Sequence, residues 1–333
     1  MINKDIGIDL GTANILINVK GEGIVLNEPS VVAIDEDTKQ ILAIGLEAHD
    51  MLGRTPGKIK VIKPMKDGVI ADFEVTEIML NYFIKKVKAK TILCKPRILI
   101  CCPTNITAVE KNAIKEAAER TGAKKVFIEE EPKVAAIGVG LDISKPSGSM
   151  IVDIGGGTTD IAVLSLGDIV TSTSLKIAGN TFDEEIIKYI KNQYNLLIGE
   201  VTAEEIKKQV GTVYNGSKKD KMEVKGRNLV NGLPKTIYIK SEEIETALKD
   251  SINKIVNTIK QVLEDTPPEL SADIINKGIV LAGGGSLLDG LDILLNEELG
   301  IPIRIASSPL TCVADGTGIM LENIKKFDNY YKL

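Results

Sequence analysis

The stretch Met150-Ile-Val-Asp-Ile-Gly-Gly-Gly-Thr-Thr-Asp160 carries three kinds of group that together can hold a phosphate. Glycines at 155 to 157 leave the backbone bare, so successive N–H groups can approach an anion with no Cβ in the way. Thr158 and Thr159 add hydroxyl donors, and Asp153 offers a carboxylate where a phosphate-bound Mg²⁺ takes a water-mediated partner. A plain glycine-rich hairpin looks the same in isolation. The N-terminus separates the two readings. Asp5-Ile-Gly-Ile-Asp-Leu-Gly-Thr-Ala-Asn14 repeats the layout: an apolar strand, Asp9, a hydrophobe, Gly11, Thr12, then a returning strand from Ile15 to Val19. Two such units, with Asp9 and Asp153 separated by 144 positions, imply two related lobes gripping one phosphate chain from opposite sides.

Three other groups bear on the same chemistry. Leu281-Ala-Gly-Gly-Gly-Ser-Leu287 follows a strand pattern and opens a helix pattern, so its backbone can lie under a nucleoside or meet a phosphate; a tight strand-to-helix turn reads the same way. Glu129-Glu-Glu-Pro132 precedes a helix, and one carboxylate at such an entrance can orient a water against a terminal phosphate. Glu129 and Glu130 read instead as solvated or as complements of the helix dipole. Lys207 and Lys208, near Glu204 and Glu205, read as an ordinary charged helix face. No G-x-x-x-x-G-K-[ST] occurs, and Gly7 to Gly11 lacks the full dinucleotide fingerprint.

Composition excludes several alternatives. The formal charge is −5, which gives no nucleic-acid surface, and the 333 residues suffice for two domains with separate cores. The four cysteines, Cys94, Cys101, Cys102 and Cys312, lack metal-ligand spacing, and His49 is the single histidine. His-based catalysis and Cys/His metal chemistry are thereby excluded, and adjacent Cys101 and Cys102 read as core residues of a reducing compartment. The N-terminus runs directly into a strand, leaving no room for a signal peptide, and no apolar run reaches the ~20 residues of a spanning helix. The expectation is a cytosolic protein whose membrane contact, if any, is peripheral.

The elements that position these groups follow from periodicity. Strands are expected at Ile6 to Leu10, Ile15 to Val19, Ile24 to Leu26 and Ser30 to Ile34, then a small Gly-, Pro- and Lys-rich insert at about 35–68. Phe73 to Val87 reads as a helix with Ile78, Tyr82, Phe83 and Val87 on one side. Arg97 to Cys102 and Lys125 to Ile128 read as strands, and Thr107 to Glu110 as a capping box opening a helix that stops near Gly122. Pro132 to Gly140 is a small-residue helix. In the second half, a helix runs through Ile186 and Ile190, and Thr202 to Glu205 reads as another capping box. Residues 212–240 form a small β insert. A long helix from Ile244 to Leu263 stops at Pro267-Pro268, the strand Gly278 to Ala282 feeds a helix from Leu287, and a tail helix bearing Gly316 and Gly318 returns to the first lobe. The predicted class is α/β, two lobes each with a mixed sheet flanked by helices. The first lobe spans 1–146 plus 310–333; the second spans 147–309 with a small insert at about 181–243.

The ordered set of phosphate hairpin, carboxylate-Pro helix, second phosphate hairpin, Gly-Gly-Gly-Ser turn and Gly316/Gly318 helix resembles the actin, Hsp70 and sugar-kinase superfamily, whose fold is ribonuclease H-like. Within it the chain, from Asp5 to about Asn323, is similar to the MreB family of bacterial actins. The stretches that carry this are Gly7 to Asn14, Leu26-Asn-Glu-Pro-Ser-Val-Val32, Lys66-Asp-Gly-Val-Ile-Ala-Asp-Phe-Glu-Val-Thr76, Leu233-Pro-Lys-Thr236, Thr266-Pro-Pro-Glu-Leu270 and Asp273-Ile-Ile275. Ile100 to Thr107, Glu130 to Ala136 and Thr159 to Ile161 look like the MreB-like (Mbl) branch of Gram-positive bacteria. Most MreB chains have Glu where this one has Asp160, one methylene shorter.

The resemblance implies an ATPase that binds ATP with Mg²⁺ between its lobes and polymerises into paired protofilaments on the inner face of the cell membrane. There such proteins guide lateral cell-wall synthesis and maintain rod shape, alongside the elongation machinery and MreB paralogues. Residue by residue it assigns Thr12, Ala13 and Asn14 to one phosphate loop and Gly156, Gly157 and Thr158 to the other. It assigns Glu204, Glu205, Ile206, Lys207 and Lys208 to an adenosine-side helix, and Gly284, Gly285, Ser286 and Leu287 to the adenosine turn. Asp9 and Asp153 match the Mg²⁺-side carboxylates, acting through water; Glu131 matches the water-orienting acid, with Thr158 as its partner. Some relatives touch the membrane through an apolar loop tip. Ile92 and Leu93, flanked by Lys88, Lys90 and Lys95, fit that role, and a buried strand start fits the same residues. A small-molecule kinase or an Hsp70-like chaperone would be the competing functions. The first needs a sugar pocket with a catalytic Asp, of which there is no sign, and the second a substrate domain after the ATPase lobes.

Overall fold

The computed structural model of the chain describes residues 5–88, 95–104 and 106–323. The apolar run that opens the chain forms β1 (Ile6–Leu10), which turns back through β2 (Asn14–Val19) and β3 (Gly23–Pro29) as an antiparallel meander. A small three-stranded sheet follows, from β4 (Val32–Asp35), β5 (Ile41–Ile44) and β6 (Ile59–Ile62), with α1 (Leu46–Asp50) beside it. Val31, Ala33 and Ala48 make its own minor core. A tight hairpin of β7 (Met65–Lys66) and β8 (Val69–Ile70) turns on Asp67 and Gly68, both at positive φ (50° and 74°), the requirement of a two-residue primed turn. Next come α2 (Phe73–Lys88), β9 (Arg97–Cys102), α3 (Ala108–Arg120), β10 (Lys125–Glu130) and α4 (Glu131–Gly138). Strands β9 and β10 add in parallel to β1, giving the order β10-β9-β1-β2-β3. The Arg97 guanidinium donates to the buried Asp5 carboxylate at 2.6 Å, pinning the start of β9 to the start of β1.

The second half repeats the construction. A meander of β11 (Ser149–Ile154), β12 (Thr159–Ser165) and β13 (Asp168–Leu175) leads into α5 (Gly179–Tyr194), β14 (Leu196–Leu197) and α6 (Glu200–Val210). Strands β15 (Lys221–Asn228) and β16 (Pro234–Lys240) pair with β14 in a second small sheet. Then follow α7 (Ser241–Glu264), α8 (Pro268–Lys277), β17 (Ile279–Ala282), a 3-10 turn at Gly284–Leu287, α9 (Leu291–Leu299), β18 (Ile303–Ile305) and α10 (Cys312–Glu322). Here β17 and β18 add in parallel to β11, and the order β13-β12-β11-β17-β18 mirrors that of the first sheet. The meander-plus-parallel-pair plan occurs twice, as the repeated Asp-x-Gly motif required.

Between the sheets lies a layer made by α4 and α10. Leu99, Cys101 and Phe127 from the first sheet and Ile151, Ala162, Leu164 and Ala282 from the second bury against it. The two helices cross backbone to backbone: a Cβ on Gly138 would lie 1.9 Å from Cys312 O, and one on Gly316 2.0 Å from Val134 O. Helix α10 also packs on β1, where a Cβ on Gly7 would lie 2.1 Å from Thr317 Oγ1.

Four local expectations need correction. Val75, Met79, Leu80, Phe83 and Ile84 form the buried face of α2, while Ile78 and Tyr82 are exposed, because the apolar stripe is wide and its centre lies one position on. The expected capping box at Thr202 does not form; α6 starts earlier, with Gly199 as N-cap and no side-chain cap, so Thr202 sits inside the helix. The helix expected from Leu287 is a 3-10 turn, and α9 starts only at Leu291, after Gly290 in the left-handed region. Finally, Pro268 opens α8 as an N1 proline, where the sequence reading had only a stop signal. The Thr107–Glu110 capping box forms as expected, with both reciprocal bonds. Cys101, Cys102 and Cys312 are buried free thiols in the core. Cys94, Ile92 and Leu93 lie outside the described residues.

Candidate nucleotide site

The two Asp-x-Gly turns face each other across the gap between the sheets. A Cβ on Gly156 would stand 2.7 Å from the Ala13 Cβ, and one on Gly157 2.7 Å from Thr12 Oγ1, so the approach tolerates only glycine there. Each turn is braced from behind. The Ser30 hydroxyl donates to Gly11 O at 2.8 Å, and Gly179 and Asn180 donate their N–H groups to Gly155 O and Gly156 O. The Asp67-Gly68 hairpin wedges between both turns: Gly68 N–H donates to Thr12 Oγ1 at 3.2 Å, and Gly68 also approaches the Thr158 methyl. Ala13 and Asn14 are exposed, whereas Thr12 and Thr158 are buried.

Carboxylates converge beneath the turns. Asp9 and Asp153 are the penultimate residues of β1 and β11, Glu131 is the first residue of α4, and Asp160 lies opposite Asp153 in the β11–β12 ladder. Burial pushes the Asp9 carboxyl up to about 7. Burial, then the charges of Asp160 and Asp9, pushes Asp153 up to about 8. Glu131 is held well above the usual carboxylate range by burial first and then by Asp160, Asp9 and Asp153. Such a set, crowded and desolvated, is electrostatically incomplete without a cation. One oxygen of Asp160, Oδ2, is buried with no hydrogen-bond partner. Among the described residues no three acidic, His or Cys side chains stand where they could ligate a metal directly. The raised carboxyls of Asp9 and Asp153 beside the glycine turns fit a cation held through water and through anion oxygens.

On the other side of the cleft, the predicted adenosine-side helix divides by face. Ile206 is fully buried in the second-lobe core and Glu205 is exposed. Glu204 and Lys207, one turn apart, are half-buried. Lys207 Nζ donates to Gly179 O (2.8 Å) and to Asp183 Oδ2 (2.9 Å), which sets it beside the second turn rather than on an ordinary charged face. Lys208 does fit the ordinary reading, exposed and paired with Glu204 at 2.7 Å. Burial raises the Glu204 carboxyl, but the Lys208 hydrogen bond and the charges of Lys208, Lys207 and His49 outweigh it and leave Glu204 below its usual value. Burial pushes Asp183 up to about 6, against the pull of Lys207 and Lys63.

At the third glycine cluster, a Cβ on Gly283 would lie 2.4 Å from Asp153 Oδ1, and one on Gly285 2.3 Å from the Ile154 side chain. Ser286 is buried, with its hydroxyl donated to Gly283 O, and Leu287 is half exposed. The turn thus seats against the second phosphate hairpin, with Gly284 in its more open part. Glu129, read as solvated or as a helix-dipole complement, is buried at the end of β10 and paired with Lys133 at 3.5 Å; Glu130 is the half-exposed N-cap of α4, 3.8 Å from Lys111.

This geometry of duplicated meanders with paired turns on one cleft is matched by known proteins. The family model described as MreB/Mbl protein covers residues 3–329. The chain belongs to the MreB/Mbl family. It is 65% identical over 326 residues to the cell shape-determining protein Mbl of Bacillus cereus, covering 98% of each chain. To the cell shape-determining protein MreB of Escherichia coli it is 54% identical, covering 97% of this chain and 95% of that one. The crystal structure of MreB5 of Spiroplasma citri bound to ADP matches with a TM-score of 0.94 at 43% identity over 98% of each chain, and the same protein bound to AMPPNP with 0.93. The fold is therefore the two-lobed actin-like one that the sequence resembled.

Within the MreB/Mbl frame, sequence reasoning missed the Asp67-Gly68 wedge, Thr104, Gly179 and Asp183. Asp-Gly between two short apolar pairs is a hairpin signal that could have placed the wedge. Nothing local marks Asp183: its ion pair with Lys207 joins two helices 24 positions apart.

Proposed function

We propose that this chain is a cytoskeletal ATPase: it binds Mg·ATP between its lobes, polymerises into paired protofilaments, and lies on the inner face of the cell membrane, where it guides lateral cell-wall synthesis and keeps the cell rod-shaped. The observation that carries this reading is the face-to-face pair of glycine turns above four desolvated carboxylates, Asp9, Glu131, Asp153 and Asp160. Its support from relatives is the 65% identity to a protein named as cell shape-determining and the 43% identity to one solved with ADP and with AMPPNP.

In this reading Thr12, Ala13, Asn14, Gly156, Gly157 and Thr158 hold the phosphates with backbone N–H groups and hydroxyls. Glu204, Lys207 and Gly284 to Leu287 flank the nucleoside. Asp9 and Asp153 would hold Mg²⁺ through water, and the ion would supply charge neutralisation of the phosphates. Glu131, at the helix entrance, and Thr158 orient the attacking water. The moving bodies are residues 1–146 with 310–333, and residues 147–309, with α4 and α10 crossing between them. Partners are other copies of the chain, the membrane surface, the wall-elongation machinery and MreB paralogues.

No described helix is long and apolar enough to cross a membrane. Ile92 and Leu93 are the proposed lipid contact. Each would contribute only about 1–3 kcal/mol, weak for a monomer and strong once a filament links many copies. Sedimentation of the purified protein with Mg·ATP, with and without anionic liposomes, tests both parts. Nucleotide-dependent pelleting enhanced by lipid is expected, and Ile92→Ser with Leu93→Ser should abolish the lipid effect alone. A chain that hydrolyses ATP yet stays monomeric in every condition would sink the filament reading.

A further inference from the structure

Asp160 is the acid the proposed chemistry leaves unused. It is 1% exposed, in the middle of a cleft already crowded with carboxylates, where an apolar side chain would cost less. Strand alternation puts Thr158, Asp160 and Ala162 on one face of β12, the face whose Ala162 and Leu164 pack toward α4 and α10. Asp160 Oδ1 accepts from Thr104, through Oγ1 at 3.3 Å and N–H at 3.5 Å. Thr104 lies just past β9 in the first half of the chain, so this contact bridges the two sheets. Asp160 Oδ2 is buried with no partner at hydrogen-bonding geometry; burial pushes the carboxyl up, while the hydroxyls of Thr158 and Ser174 and the Thr104 contacts pull the other way.

The Thr158 side chain is oriented from the other direction. Its methyl lies against Gly68, where a Cβ would come within 2.8 Å, and Pro103 crowds the same spot. With the methyl so placed, the hydroxyl has one proton to give and two lone pairs to offer, and its rotation decides which of them meets a water.

We infer that Asp160 is a positioning residue: its carboxylate accepts a hydrogen bond from the Thr158 hydroxyl, which leaves the Thr158 oxygen to accept from the water that Glu131 also holds. Thr104 anchors the same carboxylate from across the cleft, so the alignment is complete only when both halves of the molecule are closed on each other. The inference deepens the ATPase reading and rests on it.

The test is single-turnover hydrolysis of Mg·ATP alongside the affinity of a fluorescent ATP analogue, for the native chain and for Asp160→Asn, Asp160→Glu and Thr104→Val. Asparagine keeps the size but turns an amide donor toward Thr158, reversing the hydroxyl. Its hydrolysis rate should fall about tenfold to a hundredfold, the usual worth of a charged hydrogen bond, while affinity stays within about twofold. Asp160→Glu restores the acceptor and should keep most of the rate, and Thr104→Val should lose part of it. An Asp160→Asn chain hydrolysing at the native rate overturns the inference. So does a loss of rate matched by an equal loss of affinity and melting temperature in all three variants, the mark of a packing role. A native chain that binds no nucleotide overturns the ATPase reading itself.

Discussion

At the scale of single residues, the cleft is a set of acids whose proton affinities are raised together, and this gives two measurable consequences. Glu131→Gln keeps the shape of the helix entrance and replaces the acid proposed to orient water. Phosphate release under single-turnover conditions should slow by about a hundredfold or more, with nucleotide affinity kept. The second consequence concerns pH. Asp9 rises from 3.8 to about 7 and Asp153 from 3.8 to about 8 in the folded chain. A folded state that binds its protons more tightly than the unfolded one loses stability as pH rises between those values. The melting temperature without nucleotide should therefore fall from pH 5 to about pH 8. Mg²⁺ stabilises the charged forms, so Mg·ATP binding at pH 7 should release protons and flatten that slope. Titration calorimetry in buffers of different ionisation enthalpy measures the release, and buffer-independent heats would count against the raised values.

At the scale of elements, the α4–α10 crossing is the most demanding contact. Gly316→Ala would place a Cβ 2.0 Å from Val134 O, a backbone atom that cannot swing away, so the helices must separate. A loss of about 2–4 kcal/mol is expected, read as a lowered denaturant midpoint. The same substitution at Gly122, which has nothing within 4 Å but a positive φ of 83°, should cost about 1 kcal/mol. The elements were legible in the sequence where one local signal decides them: the strand–Asp–x–Gly–strand repeats, the Thr107–Glu110 capping box and the Gly316/Gly318 helix. Where a neighbour decides, the reading slipped. The face of α2 depends on which side meets the first sheet, the start of α6 on the turn from β14, and the division of Glu204 to Lys208 on the core beneath Ile206. Glu129 read as solvated because its ion pair with Lys133 and its place under the cleft are tertiary facts. The two facing glycine turns were legible as a pair, but the contact of Asp160 with Thr104 joins residues 56 positions apart that no local signal links.

At the scale of the whole molecule, an ion pair links the edge of the first small sheet to the second half of the chain. Lys63, just after β6, donates to Glu200 in α6 at 2.8 Å, although 137 residues separate them. Its charge also reaches Asp183, and the charge of His49 from α1 reaches Glu204. Lys63 of the first half thus faces acids of the second. The Lys63–Glu200 pair is largely solvated and worth only about 0–1 kcal/mol. A clasp of this strength cannot hold the fold together, but it can bias the opening of the proposed nucleotide cleft. Lys63→Ala should therefore leave the melting temperature within about 1 °C and speed release of a fluorescent ADP analogue about twofold to fivefold. Salt supplies the control. Raising ionic strength from about 0.05 M to 0.5 M shortens the screening length and should accelerate release from the native chain but not from Lys63→Ala. Lys63→Glu, which sets like charges against Glu200, should release fastest of the three. Equal release rates in all three chains at low salt would mean that the mouth opens elsewhere, along the sheet layer crossed by α4 and α10.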